Sequence, residues 1–179
     1  NANAAIGGLT TLSVTGTSSL NADVTSSSTQ VYTGNVTIDN DITLSTTNSQ
    51  ITFTGTVNSE ATEGNDLTIS VGTSEVEFDS AVGGATNGSL GAISITGDLD
   101  LDADITSATS LSVSADTNLA ANVTTSGTQT YTGAVTTDGS RTLQGSTVQF
   151  VNTVTGTTAA TDDLTITGIL NLDGAITDI

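Results

Sequence analysis

The chain has 179 residues, with fifteen Asp and four Glu set against one base, Arg141, for a net charge of −18. That balance argues against nucleic acid and anionic membrane surfaces as partners, and favours polyvalent cations or basic ones. With no His, Cys or Lys, there is no Ser-His-Asp or Cys-His arrangement, no common zinc site and no phosphate loop. No run of 18 apolar residues exists, so no membrane insertion is expected.

Along the chain the elements are short and alternating. Leu12-x-Val14 opens the pattern, and Leu20/Val24 shows a motif that recurs: a large apolar residue, three others, then Val or Ile. The motif returns at Tyr32/Val36, Phe53/Val57, Phe78/Val82, Leu101/Ile105, Leu119/Val123, Tyr131/Val135, Phe150/Val154 and Leu172/Ile176. Between these pairs run strands such as Ile42-x-Leu44, Ile93-x-Ile95 and Leu111-x-Val113. Alternation buries one face, and the β-branched content suits pleated strands. No Pro interrupts a ladder. The five aromatics, Tyr32, Phe53, Phe78, Tyr131 and Phe150, are expected inside, with rings at one coil position stacking between layers. Segments Asn58–Asp66, Gly83–Gly91 and Gly156–Asp163 are expected as loops leaving one edge. Thr-Gly pairs mark corners, where Gly permits positive φ.

Internal copying points to the fold. Leu12 to Val24 matches Leu111 to Val123 at an offset of 99, and Tyr32-Thr-Gly-Asn-Val36 matches Tyr131-Thr-Gly-Ala-Val135 at the same offset. The offset then falls to 97, at Phe53/Phe150 and Leu67/Leu164, and to 71 at Ile93/Leu164. The 26-residue difference reads as one duplicated coil near 70–95, since Ile51-Thr-Phe-Thr-Gly-Thr-Val57 resembles Val76-Glu-Phe-Asp-Ser-Ala-Val82. A chain that absorbs a whole layer without losing its pattern behaves as a solenoid. The expectation is one all-β segment over 1–179, a parallel β-solenoid of roughly 9 coils of about 20 residues, built from two long repeats (about 1–99 and 100–179). The spacing of 12 from Leu20 to Tyr32 does not fit one coil.

The phrases L-x-V-x-G-T-x-x-L-x-x-x-V and Q-x-Y-T-G-x-V-T resemble repeats of filamentous-haemagglutinin-like and autotransporter-type bacterial surface proteins, over essentially the whole chain. The resemblance implies a right-handed β-helix, secretion, and a place on a bacterial surface or in an extracellular fibre. It carries no site residues to this sequence.

Three features bear on chemistry. Asp98, Asp100, Asp102 and Asp104 alternate with Leu99, Leu101, Ala103 and Ile105, which on one straight strand would align four outward carboxylates as a possible Ca²⁺ site. Asp162-Asp163 is the obvious carboxylate pair for glycoside hydrolysis, yet its counterpart Asn65-Asp66 reads as a turn. Thr-x-Thr pairs at 15/17, 52/54, 54/56, 130/132 and 165/167 do not keep one phase, and read as outward strand residues. Asn35, Asn87 and Asn122 head formal glycosylation motifs of the kind that chance supplies in a Thr-rich chain. The expected function is a non-catalytic extracellular scaffold, a rod or fibre-forming segment that needs no cofactor and stacks end to end with itself or adjacent repeats. A glycan- or matrix-binding adhesin acting through one-sided loops is the alternative, and a β-helix carbohydrate-active enzyme the weaker one.

Overall fold

In a computed structural model, which describes residues 2–86, 88–158 and 161–179, the chain is an all-β parallel solenoid. Its first coils show the building rule. Strands begin at Ile6, Leu12, Ser18, Val24, Gln30, Val36 and Ile42, a spacing of six. Each side of the coil is a short strand and a short turn, and three sides of six close a coil of 18, so Ile6 pairs with Val24. The rod is therefore a three-sided prism. Its first side starts at Ile6–Leu9, its second at Leu12–Val14 and its third at Ser18–Leu20.

Every pairing is parallel. On the first side the inward column runs Ile6, Val24, Leu44, Ile69, Ile95, Val113, Tyr131, Phe150, Leu172. Its nine rungs make eight full turns, with steps from 18 (Ile6 to Val24) to 26 residues (Ile69 to Ile95). The second side runs Val14, Tyr32, Phe53, Phe78, Leu101, Leu119. The third runs Val36, Val57, Val82, Ile105, Val123, Leu143, Ile166. Side chains between these terminal rungs are buried. Rungs of a parallel sheet rise about 4.8 Å each, so eight rises give a rod of roughly 40 Å.

The five rings are fully buried, as expected. Tyr32, Phe53 and Phe78 stack with centroids 5.1 and 5.0 Å apart, and Tyr131 stacks on Phe150 at 5.3 Å. The two stacks do not share a coil position, however. The first lies on the second side and the other on the first side. Counting sides from Gln30–Tyr32 to Thr128–Tyr131 gives fourteen, or four and two-thirds coils. The repeated motif therefore marks a corner of the prism, not a fixed place in each coil. The awkward spacing of 12 is two sides of six. Leu67 and Ile93 are register partners, so the 26-residue offset is one complete turn.

In each copy a buried glutamine supports the tyrosine. Gln30 Nε2 donates to the carbonyls of Val24 (3.3 Å) and Ser45 (2.9 Å), and its Oε1 accepts from the Tyr32 hydroxyl at 2.9 Å. Gln129 Nε2 donates to Val123 (3.2 Å) and Gln144 (2.7 Å), and Oε1 accepts from Tyr131 at 3.1 Å. Burial pushes both tyrosine hydroxyls well above their ordinary pKa.

Corner glycines answer two needs. Gly97, inside the unbroken strand Leu90–Leu101, takes φ of 136° where that strand turns from the first side to the second. Gly34 has no positive φ. A Cβ there would lie 2.3 Å from the Gly16 carbonyl of the coil beneath, so close stacking demands the glycine. Two of the expected loops do share an edge. Residues 60–66, and 83–86 with 88–89, both leave the corner between the third and first sides. The loop after Val154–Gly156 does not join them. It leaves the corner between the second and third sides, because the second repeat is rotated by one side.

Candidate functional site

Within the strands, carboxylates are segregated by side. The outward column of the first side reads Thr43, Thr68, Ser94, Ser112, Thr130, Gln149, Asn171, with no ionisable group. On the third side, strand positions such as Ser19, Thr37, Asn58, Thr124, Gln144 and Thr167 are equally uncharged. The middle of the second side is acidic. Glu75 pairs with Asp98 and Glu77 with Asp100 across neighbouring rungs. Asp116 follows above Asp98, and a groove of about 300 Å³ opens beside Glu75, Asp98, Asp100, Asp116 and Asn118.

The four-aspartate run is not a single row. Asp98 and Asp100 sit on the second side within Leu90–Leu101, Asp102 lies at the turn that follows, and Asp104 stands at the corner before the third side. The chain bends because Leu101 ends one side and Ile105 begins the next. Three of the four carboxylates are occupied by bonds to the next coil. Asp98 Oδ1 accepts the Asp116 N–H at 3.0 Å. Asp100 Oδ1 accepts Asn118 Nδ2 at 2.9 Å, and Asp104 Oδ1 accepts the Asn122 N–H at 2.8 Å. Asp102 instead meets the preceding coil. With Glu77 and Asp79 it places one oxygen from each residue within 4.8 Å of the others.

Sequence reasoning passed over Glu77 and Asp79, although Glu75-Val-Glu-Phe-Asp79 and Asp98-Leu-Asp-Leu-Asp102 share one alternation at an offset of 23. That offset is the local coil length. Stacking carboxylates one rung apart raises the free energy of the charged forms. Partial burial, followed by repulsion from Asp79, Asp100 and Glu75, holds Glu77 above the ordinary carboxylate range, although Thr52 donates to it at 3.1 Å. Gln50 Nε2 bridges Glu75 and Glu77 at 2.9 Å each. Asp102 is raised by partial burial and then by Asp100, Asp79 and Asp138.

Elsewhere the acids and amides act as staples between coils. Asp23 Oδ1 accepts the Thr43 N–H at 2.7 Å, Asp41 that of Asp66 at 2.8 Å, and Asp66 that of Ala92 at 2.6 Å. Asp116 and Asn122 do the same for Ala134 and Thr142, both at 2.8 Å. At these corners the strand ladder is interrupted, and a backbone donor there needs another acceptor. A short side chain on the coil below supplies it. Two of the formal glycosylation asparagines are engaged in this way, Asn122 and Asn35, whose Oδ1 accepts from Thr56 at 3.2 Å. Asn87 lies outside the described residues.

Asp162 is turned into its own loop. Its Oδ2 accepts the Thr158 N–H at 2.9 Å and the Thr157 hydroxyl at 3.2 Å, and the Thr158 bond leads in holding its carboxyl below the ordinary range. Asp163 donates its N–H to Ser140 Oγ at 3.2 Å. The Thr-x-Thr pairs scatter, with Thr52 on the second side, Thr130 on the first and Thr165 on the third. No described helix is long and apolar enough to cross a membrane. No family model matches the chain, and neither does any curated protein or solved structure.

Proposed function

We propose that the chain is a non-catalytic, structural rod segment of a bacterial surface protein or extracellular fibre. The supporting observation is the staple system. Asp and Asn side chains that would otherwise be candidates for chemistry serve to bind coil to coil at the corners. Layers built this way propagate a shape, and a module of this kind holds other domains at a distance or joins further rungs. The resemblance of its repeats to filamentous-haemagglutinin-like proteins supports the extracellular placement. Ca²⁺ is an optional ligand in this reading, and Glu77, Asp79 and Asp102 are the residues that would hold it.

A second reading, an adhesin, is favoured by the two loops at the shared edge. Ala85 N–H donates to Asn58 Oδ1 at 2.9 Å and Ser59 N–H to the Gly88 carbonyl at 3.1 Å, so the second loop is pinned to the strand that leads into the first. Loops on a rigid scaffold are common recognition sites. A glycan array separates the two readings. The scaffold reading expects no saturable binding by the purified chain, and no new reducing ends on incubation with neutral or polyanionic polysaccharides. Saturable glycan binding that is lost when residues 60–66 and 83–89 are replaced by short Gly-Asn turns would establish the adhesin instead.

A further inference from the structure

One coil in the interior of the prism is fully paired on two sides only. In the coil that begins at Leu67, the first side joins the coil below from Leu67↔Ile42 to Ser70↔Ser45, and the second from Val76↔Ile51 to Phe78↔Phe53. Both sides also join the coil above, at eight register positions, through the uninterrupted strands Leu67–Phe78 and Leu90–Leu101. On the third side the same coil contributes one residue. Val82 makes a single bridge to Val57 below and a single bridge to Ile105 above. Lower on that side three residues pair at every step, Ser18–Leu20 with Val36–Ile38 and these with Val57–Ser59.

The third-side strand stops at Val82 for a local reason. Gly83 takes φ of 69°, and a Cβ there would lie 2.0 Å from the Ser107 carbonyl. The chain therefore turns outward at a glycine that no larger residue can replace. Two bonds from the loop stand where the ladder would have continued, Ala85 N–H to Asn58 Oδ1 at 2.9 Å and Ser59 N–H to the Gly88 carbonyl at 3.1 Å. The Asn58 bond is exposed. Val57, Val82 and Ile105 are fully buried, so the seam rests closed. Local opening is easiest where exposed bonds replace a buried ladder. We propose that this coil is a joint in the rod, at which the third side opens around Val82 while the first and second sides stay paired. The opening tilts the segment that ends at Ser59 against the one that begins at Ile93, about the edge shared by the two paired sides. Asn58 is the latch. Such a joint serves a scaffold or an adhesin alike and depends on neither reading.

The chain has no cysteine, so a single introduced thiol reports opening at one place. Val82→Cys and Ile69→Cys put the thiol on the inward column of the same coil, on the third and first sides. Labelling of Val82→Cys by a thiol reagent is expected to be roughly tenfold or more faster, and nearly independent of low urea, as local opening requires. Asn58→Ala is expected to speed it further and to leave Ile69→Cys unchanged. Amide hydrogen exchange of the unmodified chain reads the same event. Gly83 and Thr106, whose N–H groups donate to Val57 and Val82 at 2.8 Å each, are expected to be less protected than Ile69 and Val76. Excision of residues 67–92 lays Ile105 directly on Val57 and is expected to raise the protection of Thr106 to that of Val36. Equal labelling at the two positions, or equal protection of the four amides, overturns the joint, because the coil then opens as a whole or not at all. Rates at Val82→Cys that climb with urea as global unfolding does overturn it too. None of these results bears on glycan binding, which decides between scaffold and adhesin.

Discussion

The segment from Gln30 to Phe78 and that from Gln129 to Phe150 carry the same interior device in different places. Each has a Gln whose amide caps the carbonyl six residues before it and another fifteen residues after it. Each has a Tyr two residues on that begins a ring stack. In the first the stack is three rings high on the second side, and in the other two rings high on the first side. The device works equally well on either because the sides of the prism are physically equivalent. Each is a short strand facing the same axis, bounded by corners of one kind. What a repeat must conserve is therefore a whole number of sides, not of coils.

The largest effect expected from breaking this equivalence is at the rings. Phe53 is sandwiched between Tyr32 and Phe78, so Phe53→Ala removes contacts on both faces and should cost about 3–5 kcal/mol. Phe150 has one ring neighbour, and the residue above it, Leu172, is 38% exposed. The same substitution at Phe150 should fall at or below the lower end of that range. Urea titrations of the two variants check the ranking, and equal losses would mean that stacking above and below contributes little.

Next come the glutamines. Gln30→Ala and Gln129→Ala each strand a buried tyrosine hydroxyl and two backbone carbonyls. A loss of about 3 kcal/mol is expected from these three unsatisfied groups, at the low end of the cost of each. If the sides are equivalent the two losses match, although the residues stand on different sides. A difference larger than about 1 kcal/mol would show that the devices are not interchangeable.

A smaller effect concerns the acids of the second side. The raised pKa values of Glu77 and Asp102 mean that the folded state holds protons more tightly than the unfolded chain. The cost of their partial burial, and of repulsion from Asp79 and Asp100, is fully present at neutral pH and is relieved as pH falls through their folded values. Asp162, lowered by its loop, works in the opposite sense and loses its contribution as pH falls through its own folded value. The melting temperature should thus rise as the pH is lowered from neutral through the range in which Glu77 and Asp102 protonate, and fall again in stronger acid. Glu77→Gln should flatten the rise. Millimolar Ca²⁺ should raise the melting temperature more than NaCl of equal ionic strength, and the excess should vanish in Glu77→Gln. Equal effects of the two salts would reduce the matter to screening.

The core was legible in the sequence because alternation and burial obey the same period-two rule, so every ring expected inside is inside. The register was half legible. A 99-residue copy of Leu12–Val24 reveals that rungs repeat, but nothing in it distinguishes five coils of 20 from fourteen sides of six or more. The six-residue spacing from Ile6 to Ile42 is the signal that distinguishes them. The grouping of the acids in space was illegible for a related reason. Asp98 to Asp104 is contiguous in sequence, but a corner intervenes after Leu101. The residues that approach Asp102, namely Glu77 and Asp79, lie one coil earlier. The staples were illegible without three dimensions, since each joins residues about 18 to 26 apart whose pairing depends on local coil length.

The smallest expected effect comes from the boldest change, excision of residues 67–92. Leu67 and Ile93 are register partners, so joining Asp66 to Ile93 removes one complete turn and leaves every later residue on its present side. Ile93 would take the place of Leu67 on Ile42, Leu101 that of Phe78 on Phe53, and Ile105 that of Val82 on Val57. Each replacement is apolar and already lines the interior. The excision gives up the Phe53–Phe78 stack and also removes Glu75, Glu77 and Asp79 from the crowded second side. These changes oppose one another, so the melting temperature should move little. Because each layer contacts only its neighbours, the urea m-value should fall roughly in proportion to the chain removed, and the rod should shorten by about 4.8 Å at constant cross-section. Scattering and urea titration measure both. Loss of a cooperative transition would mean that the coil carries an interaction beyond its nearest rungs, and the equivalence of layers would fail with it.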